Sequence, residues 1–391
     1  MRKIYSLITI LLFLIILSAP GIKSLLKQNK VAQWENRVLA KKPDFITDLS
    51  DISRYTDQVD NYLSDNFGFR KNFIETNSKI HYYLFNDAVS KQITIGENDF
   101  IFFNSHNSKK PHSIIKFICE EKEHSKTVKQ RIRKNFSWFI EHYTKLGYAT
   151  SIAIIPLKAK IYPENLPSRE KQWCADSRVT WADENLTKIN PKSVYYPLEK
   201  LRSWKSSFPV YLPSFFHWEG HLPYRVAEDI MLNHLNITPD LSAKIEQIEV
   251  QSDLQRFLQG IELKEKSVNY SYKDHNIKKC HGKKCVKDIE QVYKKSLSFH
   301  YARTQAPFTG RKILLLTDSF GADVFKHFIR GFDEVSMINM NYLSDQERVP
   351  FFEFIEKEIE STHILLLMNS GGIYSNASKL NKVLLEFESN K

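Results

Sequence analysis

Ser319 is the hydroxyl in this chain best placed to act as a nucleophile. It follows an apolar run in RKILLLTDSFGADVF, residues 311–325. Such a run, ended by polar residues, reads as a buried strand giving way to a helix near Ala322. A serine at that junction stands outside the carboxyl end of a strand, where open parallel sheets bind ligands. Free amides at the start of the helix would then face an oxyanion. Thr317, Asp318 and Ser319 also suit simple helix capping, and Asp318 reads as a turn residue rather than a catalytic acid.

A serine nucleophile needs a base. Among 13 histidines, His217 stands out in YLPSFFHWEGHLPYRVAEDI. The preceding FPVYLP reads as a short strand and LPYRVAEDIMLNHL as a helix, which puts His217 on the same rim as Ser319. A ring merely packed among aromatic neighbours is the alternative at this position. Lys158, after ATSIAIIP, falls near that rim and is expected to face substrate without a catalytic role. Cys280 and Cys285 in KKCHGKKCVK are close enough for a disulfide. His275 and His281 lie nearby, but the spacing matches no strong zinc pattern and no metal is expected. Cys119 and Cys174 are the other two cysteines, and their pairing is left open.

These residues need a scaffold. Residues from about 52 to 85 carry apolar positions at intervals of three and four, interrupted at Gly68, and read as helical. SKQITIG and DFIFFN read as short strands. SKTVKQRIRKNFSWFIEHYTKLGY reads as a helix leading into the strand ATSIAIIP. Further on, RKILLLTDS, EVSMINMN and HILLLMN read as strands separated by the helices ADVFKHFIRGF and RVPFFEFIEKEIEST. Short apolar strands alternating with helices predict an α/β fold, a parallel sheet covered by helices on both faces. The polar, lysine-rich stretch from about 240 to 303 reads as a surface insertion of solvated helix and loop.

The chain has 391 residues, 42% of them hydrophobic, so it can build a large core. Its formal charge of +11 favours anionic partners: a membrane surface or an acidic polysaccharide. No nucleic-acid motif is visible, and nucleic acid is not expected as a partner. MRKIYSLITILLFLIILSAPGIKS has a basic start and a nearly uncharged run from Ile4 to Ile22, the length of a bilayer-spanning helix. Residues 1–22 are therefore expected to be a signal anchor, with a cleaved signal peptide as the alternative. Residues 23–85 form a polar linker and helical lead-in, and 86–391 the main domain. Four cysteines fit an exported chain.

Several blocks together resemble the SGNH-hydrolase-like domain of the alginate O-acetyltransferase family. TDSF resembles that family's serine block, and FHW its acid-and-base block. WENRVLAKKPDF matches through Glu35, Asn36, Arg37 and Pro43, and YLSDNFGFRKNFI through Asp65, Phe67, Gly68 and Arg70. IGENDFIFF resembles a conserved hairpin, and IIPLKAKIYPENLP matches through Pro156, Lys158, Tyr162, Pro163 and Pro167. The resemblance spans residues 33–370 and keeps the blocks in order. It implies Ser319 as nucleophile, His217 as base, and acetyl transfer to a sugar hydroxyl of an extracellular or cell-wall polysaccharide. It also implies a membrane-bound acyltransferase as acetyl donor, no soluble cofactor, and a place on the periplasmic face of the inner membrane, or in the periplasm or secreted if the anchor is cleaved.

The chain departs from this pattern where the catalytic acid should be. The family's aspartate stands two residues before the histidine, and that position is Phe215 here. Thr317 replaces a glycine, and Leu222-Pro223 replaces Gly-Ala. Three outcomes are open: a carboxylate from elsewhere (Glu219 is near in sequence), a Ser-His dyad, or loss of catalysis with a glycan-binding or scaffold role in an exopolysaccharide acetylation complex retained. A plain exported carbohydrate esterase is a further alternative.

Overall fold

A computed structural model describes residues 2–26, 31–32, 37–45, 48–104, 113–120, 126–174, 179–272, 277–295, 298–304 and 309–389. Glu35, Asn36 and His275 lie outside the described residues. The chain divides into two compact units. One comprises residues 1–90 with 255–262, the other residues 91–254 with 263–391.

The first unit begins with the helix Arg2–Leu26. Its segment Ile4–Ser24 has a mean hydropathy of 2.2 and is long and apolar enough to cross a membrane. The two-residue strands Val31–Ala32 (β1) and Arg37–Val38 (β2) pair antiparallel. Helices Ile52–Asn66 and Arg70–Phe85 follow, parted at Gly68. A side chain at Gly68 would strike the Pro20 carbonyl oxygen at 2.1 Å, so only glycine lets the backbones approach this closely. Asp65 accepts the Ala40 amide at 2.8 Å, which ties two of the resemblance blocks together.

The second unit opens with the hairpin Ile93–Ile95 (β3) and Ile101–Phe103 (β4). Its centre is a seven-stranded sheet built from Ala149–Ile155 (β5), Val194–Tyr195 (β6), and five later strands. Between them Lys244–Gln251 (β7) and Lys264–Ser271 (β8) form a separate antiparallel hairpin. The remaining sheet strands are Lys278–His281 (β9), Phe299–Arg303 (β10), Lys312–Thr317 (β11), Glu334–Asn339 (β12) and His363–Asn369 (β13). Their order is β6-β5-β13-β11-β12-β10-β9. The first five run parallel, and β10 and β9 close one edge antiparallel.

The expected α/β class, with both sheet faces covered, is what the strands build. Side chains alternate across a strand, so Ala153, Ile155, Ile313, Leu315, Leu365 and Leu367 enter one core while Ile152, Ile154, Leu314, Leu316, Leu366 and Met368 enter another. The second core is covered by helices Lys126–Lys145 and Ile373–Ser389, through residues such as Phe136, Phe139 and Leu380. The first is covered by segment 198–237 and by Phe320, Val324 and Phe328.

Two local expectations differ from what is found. Residues 208–213 (FPVYLP) are not a strand. Side chains satisfy that backbone instead: the Val210 amide donates to the Tyr162 hydroxyl at 2.9 Å, and Lys158 takes carbonyls further on. The lysine-rich stretch 240–303 is no loose insertion, since it supplies the β7–β8 hairpin and two strands of the central sheet. Disulfides join Cys119 to Cys174 and Cys280 to Cys285. With Cys280 and Cys285 oxidised, neither thiolate is available to a metal.

Candidate active site

The parallel strands β5, β13 and β11 are neighbours, so their carboxyl ends share one rim. Thr317, last in β11, sits opposite Leu367 of β13. Beyond it the chain turns through Asp318 and Ser319. Asp318 is buried and clamps this turn. Its carboxylate accepts the Phe320 amide at 2.9 Å, the Asn369 amide at 2.8 Å and the Asn369 side-chain amide at 2.7 Å. Burial pushes its carboxyl up, opposed by the amides of Asn369 and Phe320. Asp318 therefore fastens β11 to β13, and half-buried Ser319 follows it in the turn.

The segment after Ser319 is a single helical turn, Gly321–Val324, continued as the 3-10 stretch Phe325–Arg330. The amides of Phe320 and Gly321 are both taken by Asp318. They are not the free oxyanion donors that a long helix here would have offered. Thr317, which stands where the resemblance has glycine, is accommodated by Gly321. A side chain at Gly321 would lie 2.1 Å from the Thr317 hydroxyl, so the two positions exchange bulk.

His217 reaches the same rim on the loop that follows residues 208–213. Trp218 is fully buried and donates its indole N–H to the Phe320 carbonyl at 2.8 Å. The His217 ring lies 5.4 Å from the Phe320 ring, centre to centre. These contacts bring the His217 loop against the turn that carries Ser319. Phe216 packs on Phe320 and on Phe103 of β4, and the Phe215 side chain is buried. Phe215 cannot serve the imidazole.

The carboxylate beside His217 is Asp253, two residues past the end of β7. Its Oδ2 lies 2.6 Å from His217 Nδ1 and accepts the His217 amide at 2.9 Å, while Oδ1 accepts the Phe216 amide at 2.8 Å. Burial alone would raise the Asp253 carboxyl. The hydrogen bonds from His217 and the Phe216 amide prevail and hold it below the usual carboxylate range. It is thus ionised at neutral pH, fixed at both oxygens, and bonded to the ring nitrogen that sets the imidazole tautomer. Glu219, the carboxylate nearest in sequence, instead accepts the Gly220 amide at 3.1 Å.

Further bonds stitch this loop to the β7–β8 hairpin. Ser214 donates its amide to Glu265 of β8 at 2.6 Å, and Ser252 donates its hydroxyl to the Ser214 carbonyl at 2.5 Å. Lys158 works from the other side. It is buried, and its Nζ donates to the carbonyls of Leu212, Pro213 and Phe215 at 3.3, 2.6 and 2.6 Å. All three N–H donors are used on the loop that carries His217, so this lysine faces inward rather than toward substrate. Burial pulls its pKa down to about 7, against the opposing charges of Asp253 and Glu265.

Asp323 follows Ser319 by one helical turn. Burial, then the charge of Glu219, pushes its carboxyl up to about 6. Lys326 donates to the Asn269 side chain at 3.1 Å, and burial lowers its affinity for a proton against the pull of Glu219 and Asp323. Among the described residues, no group of His, Cys, Asp and Glu has the arrangement of a metal site.

No protein-family model matches the chain, and no curated protein matches it. Solved structures do. A DHHW family protein from Eubacterium siraeum is 16% identical, with a TM-score of 0.48 over 64% of this chain and 88% of that one. Bacillus cereus PatB1 is 13% identical, with a TM-score of 0.45 over 71% of this chain and 95% of its own. The O-acetyltransferase domain of Pseudomonas putida AlgJ is 12% identical, with a TM-score of 0.39 over 74% of this chain and 98% of its own.

Proposed function

We propose that this chain is an envelope-anchored polysaccharide O-acetyltransferase with an SGNH-like site, in which Ser319 is the nucleophile, His217 the base and Asp253 the acid. The observation that carries the reading is the 2.6 Å contact between His217 Nδ1 and Asp253 Oδ2, on a carboxylate already fixed by two backbone amides. With Nδ1–H donated to Asp253, the Nε2 lone pair is free to take a proton.

Ser319 Oγ attacks the acetyl carbonyl of the donor and passes its proton to His217 Nε2. The donor's oxygen leaves with that proton, and acetyl remains on Ser319. A sugar hydroxyl then gives its proton to His217 and attacks the acetyl carbon, and His217 passes that proton to the departing Ser319 Oγ. Asp253 orients the ring and stabilises the imidazolium in both halves. The donor is an acetylated membrane-bound acyltransferase, and the helix Arg2–Leu26 keeps the domain at the periplasmic face of the inner membrane. A plain esterase would use the same residues with water in place of the sugar.

The test is p-nitrophenyl acetate turnover with intact-mass detection of an acetyl-enzyme. Wild type is expected to release p-nitrophenol and to carry acetyl on Ser319. Ser319→Ala and His217→Ala are expected to do neither. Equal rates for wild type and Ser319→Ala would remove the nucleophile assignment.

A further inference from the structure

The first unit leaves apolar surface uncovered where it meets its own apolar helix. Helix Ile52–Asn66 buries none of its residues, and helix Arg70–Phe85 buries only Ser78. Yet Leu63, Phe67 and Phe73 stand 57%, 49% and 56% exposed, and Phe69 is exposed as well. The rings of Phe67 and Phe73 lie 6.2 Å apart, centre to centre, so they form one patch at the corner between the two helices. Residues 255–262 meet the second helix on another side. A side chain at Gly260 would lie 2.7 Å from Glu75 Cβ. Glu75 stands about 200° round the helix from Phe73.

The corner is fastened to the end of the apolar helix. Residues 4–18 of that helix are exposed, and Pro20, Lys23 and Ser24 are partly covered. Ser24 donates its hydroxyl to the Asn66 carbonyl at 2.7 Å, and the Lys23 ammonium lies 3.7 Å from the centre of the Phe69 ring. Gly68 is buried against the Pro20 carbonyl oxygen, where no side chain fits. From Ser24 back to Pro20 is about 6 Å along the helix axis. The chain therefore dips between Asn66 and Gly68 from the end of the segment Ile4–Ser24 into its last turn. That segment has 21 residues, a length of about 30 Å, which matches the hydrocarbon core of a bilayer. With the segment across a membrane, Phe67 to Phe69 lie at the boundary between headgroups and acyl chains.

We propose that the corner at residues 63–73 is a second membrane contact, in which Phe67, Phe69 and Phe73 enter the leaflet where the helix Arg2–Leu26 ends. The proposal rests on the reading of Ile4–Ser24 as a membrane span. Lipid is the occupant because the patch adjoins the exposed flank of that span, and phenylalanine and leucine are what interfacial segments bury. Charge is not the driving force. Lys23, Arg70 and Lys71 stand at the corner with Asp65 and Glu75, and Glu75 pairs with Lys71 at 3.5 Å. The contact therefore needs no anionic lipid. A single span lets the unit pivot where it leaves the bilayer, and the corner fixes its tilt.

The experiment places one nitroxide label at a time on the full chain in phosphatidylcholine nanodiscs, through Phe67→Cys, Phe73→Cys, Asp57→Cys or Leu14→Cys. The native cysteines are paired in disulfides, and circular dichroism checks that each variant is folded. Collisions with oxygen, which enters lipid, are compared with collisions with a nickel chelate, which stays in water. Labels at 67 and 73 are expected roughly 5–10 Å into the boundary of headgroups and acyl chains. The label at exposed Asp57 should lie in water and the one at Leu14 in the hydrocarbon core. Salt at ~1 M should leave these depths unchanged, although it shortens the Debye length to about 3 Å. A nitroxide is itself apolar, so Phe67→Ser is added to the chain labelled at 73, and that label should become shallower. Labels at 67 and 73 as open to nickel as the one at 57 overturn the proposal, as does an unmoved depth on Phe67→Ser. Shielding from oxygen and nickel alike, with spin–spin broadening, overturns it in favour of a second copy of the chain. A label at Leu14 open to nickel instead removes the span, and the proposal with it.

Discussion

Removing the Asp253 carboxylate isolates the interaction on which the proposed catalysis depends. Oδ2 lies 2.6 Å from His217 Nδ1, and both side chains are 27% exposed. The charge centres of a carboxylate and an imidazolium in contact are about 4 Å apart, which at an effective dielectric of about 20 is worth about 4 kcal/mol. Partial exposure reduces this to about 3 kcal/mol, or a factor of about 10² in rate. Loss of tautomer control adds to that, and replacing the corresponding aspartate in a serine protease costs about 10⁴ in kcat. We therefore expect Asp253→Ala to lower kcat for p-nitrophenyl acetate by about 10³. Asp253→Asn should lose at least as much as Ala, because either orientation of the amide sets its NH2 against a backbone N–H, of Phe216 or of His217. Formate should restore part of the Asp253→Ala rate, since the substitution vacates the space of a carboxylate beside a ring that is 27% exposed. A loss under about tenfold in a folded Asp253→Ala protein, with no response to formate, would refute the assignment of Asp253 as the acid.

The other expectations concern residues around that contact. Lys158→Met removes a donor from the carbonyls of Leu212, Pro213 and Phe215; Pro213 keeps the Ile101 amide and Leu212 the Phe215 amide, so the main cost, about 1–3 kcal/mol, falls on the Phe215 carbonyl. It should lower the melting temperature and, well below it, reduce kcat more than it changes KM; an unchanged kcat would separate Lys158 from the positioning of His217. Gly321→Ala drives a methyl group into Thr317 and should cost about 1–3 kcal/mol, with Thr317→Gly in the same chain recovering part of the loss. Additive losses in the double variant, measured by denaturant unfolding, would count against that exchange of bulk. Asp323 has a folded pKa of about 6, above the ordinary value of ~3.9. The native state thus holds its proton more tightly, so stability is lost as pH rises from about 4 to 6 and is level above. Relative to Asp323→Asn, wild type should lose about 2 kcal/mol across that window, and parallel stability curves would contradict it.

The sequence by itself determined the parts of this protein that are local. Apolar runs of strand length placed β5, β11, β12 and β13, because a strand buried on both faces must be apolar throughout. The polar break after KILLLT placed Ser319 at a strand end, and the run from Ile4 to Ile22 read directly as an apolar helix, found within Arg2–Leu26. FPVYLP looked like a strand because its composition is right for one, whereas its hydrogen bonds go to side chains that no periodicity reveals.

Only the tertiary structure decided which carboxylate meets His217. At Phe215 the local pattern fails, and nothing in SDL marks Asp253 as its replacement 38 positions later in the chain. A carboxylate has only to reach Nδ1, so any segment that folds back to the loop can supply it. Here that segment is the hairpin in a stretch whose lysines made it look like solvated insertion. Lys158 was misplaced for the same reason. Its position after β5 was legible, but the direction of its ammonium depends on three carbonyls from a loop more than 50 residues away.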